Sequence, residues 1–181
     1  HRRPAVGGSE HHTHPLAEAI EVIRKVWSGE RNLRFEGQHY RLAGAHSGPV
    51  PAHPIGIWLG VYGPRALRLT ARVADGWVPS FRGDLQQIVE MTDRLDQAAV
   101  EAGRDPGEIR RILNLSGAIT DGGSEGVLRG PVTQWVDELT DLAVGQGFDT
   151  FILWADGPDQ LTRFAEQVVP AVRTQVAAER A

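Results

Sequence analysis

Cysteine is absent from the 181 residues, which excludes disulfides, thiolate metal centres and cysteine nucleophiles. Methionine and lysine occur once each, at Met91 and Lys25, so the basic residues are almost all arginine. That bias points to GC-rich coding DNA and carries no mechanism. Positive charge is in short supply: 19 basic against 23 acidic side chains leave a formal charge of −4. A nucleic-acid partner is therefore not expected, because it needs a basic face. No apolar run approaches the roughly 18 residues that a membrane span requires. No apolar segment follows His1-Arg2-Arg3 as it would in a signal peptide. A cytoplasmic protein without membrane contact is the expectation. The chain opens on His1, not methionine, and a processed chain or a piece of a longer one is expected.

What is present is ordinary for a globular domain: 41% apolar and 23% charged residues. Residues 1–13 are polar and read as a loop or frayed end. The cluster His11-His12-Thr13-His14 lacks a carboxylate at helical spacing, and no metal site is expected. Residues 15–28 show helical periodicity in Leu16, Ala19, Ile20, Ile23, Val26 and Trp27. Pro15 suits the first turn and Gly29 the C-terminal cap. At about 30–54, Phe35, Tyr40 and Leu42 give way to a stretch rich in Gly and Pro, an extended insertion with an irregular loop.

From residue 55 a pattern repeats. Ile55-Gly56-Ile57-Trp58-Leu59, Gly76-Trp77-Val78-Pro79, Ile112 to Ile119, and Asp149 to Trp154 are short apolar runs, each followed by a helical segment. The helices are expected at about 64–73, 84–102, 132–144 and 158–178, with Asp84 as an N-cap. Nearly continuous apolar runs imply strands buried on both faces of a parallel sheet. Four strand–helix units are an α/β pattern, but a (β/α)8 barrel takes about 250 residues. The economical reading is the C-terminal half of a TIM barrel: a helix, then four parallel strands, five to eight, with their helices. On this reading residues 14–181 are a partial barrel domain. The competing reading is a complete small open sheet.

In both architectures ligands bind at the carboxyl ends of the strands. Gly60-Val61-Tyr62-Gly63-Pro64-Arg65 joins a strand to a helix there. A helix start offers free N–H groups and a positive dipole end, and Arg65 can add charge-assisted bonds. Gly63-Pro64 is equally a good helix start and nothing more. Ser80-Phe81-Arg82-Gly83 adds a hydroxyl and a guanidinium from the next strand. Asp75, Asp121 and Asp156 read as turn or cap residues. Trp58, Trp77 and Trp154 in strands, and Trp27 and Trp135 on helices, read as packing residues.

These segments resemble a known family. His14-Pro15-Leu16-Ala17-Glu18-Ala19-Ile20-Glu21-Val22-Ile23 is similar to the helix after the fourth strand of the bacterial luciferase-like monooxygenases. Phe35 to Leu42 resembles the insertion hairpin of that family. Ile57 to Leu69, continuing to Ala74-Asp75-Gly76-Trp77, is the most specific match, and Gly147 to Phe151 resembles the start of the last strand. The resemblance implies a (β/α)8 barrel and an oxidoreductase using deazaflavin (coenzyme F-420) or FMN. It places the cofactor phosphate at Tyr62, Gly63 and Ser80, with Gly60, Val61, Arg65 and Arg82 around them. The arginine-rich composition and the wording of residues 59–65 favour deazaflavin. The acid–base residues of the family come from its first four strands, so no catalytic residue is assigned. The expected partners are a small-molecule substrate and either a second copy or a missing N-terminal half. The alternatives are a non-catalytic flavin-binding member and a truncated, inactive fragment.

Overall fold

The structure is a computed structural model that describes residues 15–181; the histidine cluster ending at His14 lies outside the described residues. The chain divides into two compact units, one ending at Ile55 and the other running from Gly56 to Ala181.

In the first unit, helix α1 (Pro15–Trp27) carries the expected apolar stripe. The insertion is more regular than its Gly and Pro content implies: β1 (Leu33–Glu36) and β2 (Arg41–Ala45) form an antiparallel hairpin. Glu18 ties the turn of the hairpin to the helix. Its carboxylate, only 3% exposed, accepts from the backbone N–H groups of Gln38 at 2.9 Å, His39 at 2.8 Å and Tyr40 at 3.2 Å. Burial pushes its pKa up, but the three backbone donors pull it down further, and the net shift is downward. A lowered folded-state pKa adds stability above the unfolded value, lost as pH falls through the folded one. Glu18→Gln is therefore expected to loosen the hairpin at neutral pH, with the gap to the parent closing on acidification. Hydrogen exchange of the residue 38–40 amides across pH 3–7 reads this out; a gap that does not change with pH would contradict it.

The second unit holds a four-stranded parallel sheet of β3 (Trp58–Leu59), β4 (Gly76–Trp77), β5 (Arg110–Ser116) and β8 (Thr150–Trp154). Their spatial order is their chain order, β3-β4-β5-β8. The connections are α2 (Pro64–Val73), α3 (Leu85–Glu101) and α4 (Val132–Gly145). A last helical stretch follows β8: α5 (Pro158–Arg163), a π turn at Phe164–Val168, and α6 (Val169–Glu179). Asp84 caps α3 as expected, accepting from Gln86 and Gln87 N–H. Asp75 is the turn residue it reads as, accepting from Ile57 N–H at 2.8 Å. No helix among the described residues is long and apolar enough to cross a membrane.

Between β5 and α4 the chain makes a second, small parallel pair, β6 (Ala118–Ile119) and β7 (Arg129–Gly130). Gly117 permits it: a Cβ there would stand 2.1 Å from the Leu128 carbonyl oxygen. Gln160 then fastens β6 from α5, accepting from Ile119 N–H at 2.7 Å and donating to its carbonyl at 3.1 Å.

The core lies on one side of the sheet. Trp77, Leu113 and Leu115 pack there with Leu67, Ile88, Leu95, Trp135 and Leu139 of the helices, and Phe151 and Leu153 lean on the cluster. The alternate positions face away. Trp58 is 48% exposed and Ile152 is also exposed, and the Trp58 ring lies over Gly76 and Arg110. The apolar runs imply strands covered on both faces. Successive strand side chains point to opposite sides, and on the side away from the helical core Ile112 is buried while Trp58, Ile152 and Trp154 are exposed.

Candidate functional site

The carboxyl ends of β3, β4, β5 and β8 gather one polar cluster. After β3, Gly60 lies against the Val78 carbonyl. The Val61 carbonyl accepts from the buried Trp77 Nε1–H at 2.9 Å. The chain then enters α2 at Gly63, whose backbone (φ −74°, ψ 151°) is extended and whose cap position supplies no side-chain hydrogen bond. The first bond inside the helix runs from Leu67 N–H to Gly63 C=O at 2.9 Å. The N–H groups of Arg65 and Ala66 thus have no acceptor within the helix, and the dipole adds partial positive charge at the same place. Arg65 itself is exposed on this turn.

The second loop meets the first at Tyr62. The Tyr62 phenol oxygen accepts from Ser80 N–H at 3.1 Å. The Arg82 guanidinium carbon stands 5.0 Å from the centre of the Tyr62 ring, a cation–π distance. The hydrogen bond with the Ser80 hydroxyl holds the phenol below its ordinary pKa; partial burial opposes this, and the Ser80 backbone and the Arg82 charge add to it. Of the candidate residues, the structure joins Tyr62, Ser80 and Arg82 through contacts, while Val61 is tied to Trp77. Gly60, Gly63 and Arg65 share their loop without bonds to the second one.

Two residues not among the candidate site residues, Asn114 and Trp154, extend the cluster. Ser80 pairs with Asn114 as a parallel bridge that prolongs the β4–β5 ladder. Asn114 Nδ2 donates to Ser80 Oγ at 3.3 Å, and Trp154 Nε1 donates to Asn114 Oδ1 at 3.3 Å. Trp77 and Trp135 are the packing residues expected, each 0% exposed, but Trp154 is 68% exposed. The packing assignment for Trp154 is therefore wrong, as it is for the half-exposed Trp58: both lie outside the helix-packed core. A signal for Asn114 was available, since it is the one polar residue inside Ile112-Leu113-Asn114-Leu115. Beside this cluster opens a cleft of about 780 Å³ bounded by Arg82, Ser116, Arg129, Trp154, Asp156 and Gln160. Asp156, read as a turn residue, is on its wall. Asp121 instead pairs with Arg163 at 2.8 Å. No three His, Asp or Glu side chains among the described residues group as metal ligands.

A sequentially wound parallel sheet with helices between its strands defines an α/β protein, and its open helix start and cleft lie at the carboxyl ends, where such folds bind ligands. The comparisons with known proteins make the class specific. The model of the luciferase-like monooxygenase family matches residues 7–128, and the chain belongs to that family. An F420-dependent glucose-6-phosphate dehydrogenase of Nakamurella multipartita is 26% identical over 208 residues, covering 89% of this chain and 60% of that protein. An F420-dependent hydroxymycolic acid dehydrogenase of Mycobacterium tuberculosis is 33% identical over 106 residues, covering 59% of this chain and 29% of that protein. Among solved structures, an F420-dependent secondary alcohol dehydrogenase matches with a TM-score of 0.71 at 17% identity, over 87% of this chain and 61% of that one. A long-chain alkane monooxygenase matches at 0.70 and 16% identity, over 93% and 58%. At these identities the solved structures speak for the fold. The chain spans 60% or less of the length of these curated relatives.

Proposed function

We propose that this chain holds the phosphate of a deazaflavin coenzyme or of FMN in an oxidoreductase of the luciferase-like type. The observation that carries the reading is the uncapped start of α2, where Gly63 leaves N–H donors free beside the joined Tyr62, Ser80 and Arg82. This donor set fits a phosphate: backbone N–H groups and a helix dipole, a hydroxyl, and a guanidinium that no described carboxylate neutralises. A Cβ on Gly63 would meet no atom within 4 Å, so the space in front of the donors is open. The F420-dependent relatives favour the deazaflavin.

In this role the N–H groups of Arg65 and Ala66 and the Ser80 hydroxyl bind the phosphate, with Gly60 and Val61 shaping the loop. Arg65 and Arg82 supply positive charge. Trp77 fixes the loop through the Val61 carbonyl. When bound, the cofactor supplies the hydride or electron chemistry; these residues supply binding and orientation, and a small organic substrate enters the cleft alongside. We further propose that the four strands are strands five to eight of a (β/α)8 barrel. Support comes from sequential winding without the reversal of a doubly wound sheet and from the helix-packed core on the Leu113 and Leu115 side of the sheet. The opposite side would then lie inside the closed barrel.

Titration of the purified protein with FMN and with F420, followed by cofactor fluorescence, tests the site. Arg82→Ala and Ser80→Ala are each expected to weaken binding of the preferred cofactor about tenfold, as loss of a charge-assisted bond does. Unchanged affinity in both variants, or no binding of either cofactor by the parent, would overturn the assignment.

A further inference from the structure

We infer that Trp154 is a specificity-determining wall of the cleft, and that Asn114 is the positioning residue that holds it there. The inference rests on the reading of the cleft as the substrate side of the cofactor site. Trp154 ends β8 directly opposite Ser116 of β5. Its indole N–H does not point to solvent; it reaches back to Asn114 Oδ1 at 3.3 Å. Asn114 is held in turn from both sides of its backbone, donating to the Pro79 carbonyl at 3.0 Å and accepting from Phe81 N–H at 2.8 Å. Its amide nitrogen is engaged by Ser80 Oγ at 3.3 Å. The side chain therefore has one rotamer that satisfies both neighbours, and that rotamer sets the direction of the Trp154 ring.

The chemistry of the wall follows from what is left unused. The one polar atom of the indole is occupied, so Trp154 offers a ligand only its π face and its ring edge. The ring is 68% exposed and borders the cleft. A surface of this kind is suited to a flat, uncharged portion of a substrate, which it holds by stacking and dispersion. It offers nothing to a hydrogen-bonding group.

Naphthol, planar and uncharged at neutral pH, is a probe that needs no cofactor. Its binding is measured by ligand-observed NMR on the purified protein. Trp154→Ala is expected to weaken naphthol binding about tenfold. Asn114→Leu is expected to lose most of the same effect, because the ring is no longer tethered. Asn114→Asp keeps an oxygen for the Trp154 N–H and is expected to bind naphthol within about threefold of the parent, a rescue that general loss of stability would not produce. In the Trp154→Phe background, which has no ring N–H, Asn114→Leu is expected to add little. Naphthol binding that ignores Trp154, or Asn114→Asp behaving like Asn114→Leu, would overturn the inference. So would a Trp154→Ala protein that loses cofactor affinity and keeps naphthol affinity, since the ring would then be serving the cofactor. If neither FMN nor F420 binds while naphthol binding still follows Trp154 and Asn114, the cofactor reading fails and the ligand wall stands.

Discussion

A Gly63→Val protein is expected to fold like the parent and to bind FMN or F420 at least tenfold more weakly. The backbone at Gly63, φ −74° and ψ 151°, is extended and open to any residue, and the following Pro64 favours that same region. A Cβ there touches nothing within 4 Å. The stability cost is therefore limited to a poorer N-cap, at most about 1 kcal/mol. The branched side chain would occupy the open space at the helix start, in front of the Arg65 and Ala66 N–H groups that we propose bind the phosphate. Cofactor titration paired with urea unfolding separates the two effects. A folded variant with parental affinity would remove Gly63, and the helix start with it, from the site.

Trp77→Ala is expected to lower stability by about 3–5 kcal/mol, the range for emptying a large buried aromatic site. Trp77 is fully buried, its ring centre lies 6.1 Å from that of Phe148, and its Nε1–H supports the Val61 carbonyl. Trp77→Phe separates packing from hydrogen bonding. It retains most of the apolar volume and leaves the Val61 carbonyl without its donor, a loss of about 1–3 kcal/mol. Because that carbonyl belongs to the loop proposed to hold the phosphate, Trp77→Phe is also expected to reduce cofactor affinity. A loss below about 1 kcal/mol for Trp77→Ala in urea unfolding would contradict the packing described here.

The two tryptophans mark where sequence reasoning works and where it stops. Trp77 and Trp154 both sit in a short apolar run, and both read as packing residues. One is 0% and the other 68% exposed. The difference is which face of the sheet each side chain occupies, and a two-residue strand such as Gly76-Trp77 has too few positions to reveal an alternation. From its own residues the hairpin of residues 33–45 read only as extended chain, and the hairpin was suggested by the family resemblance alone, because its turn is secured by Glu18, about twenty residues away. Asp84, Gly63 and Pro64 were legible in detail, since a helix start is decided by its own few residues.

By itself the sequence determined the order of the four main strands and their helices, though not the small pair β6 and β7, the places where helices begin, the loops at residues 60–65 and 80–83, and the family. These are local properties: periodicity, capping and turn chemistry act over a few residues. The tertiary structure alone decided that Tyr62, Ser80, Asn114 and Trp154 form one chain of contacts, that the cleft opens beside them, and which strand tryptophans are buried and which exposed. These depend on the register of parallel strands, where Ser80 pairs with Asn114 and Ser116 with Trp154. Such pairings join residues more than thirty positions apart through backbone hydrogen bonds, which every residue but proline can make, so the side chains carry no record of them.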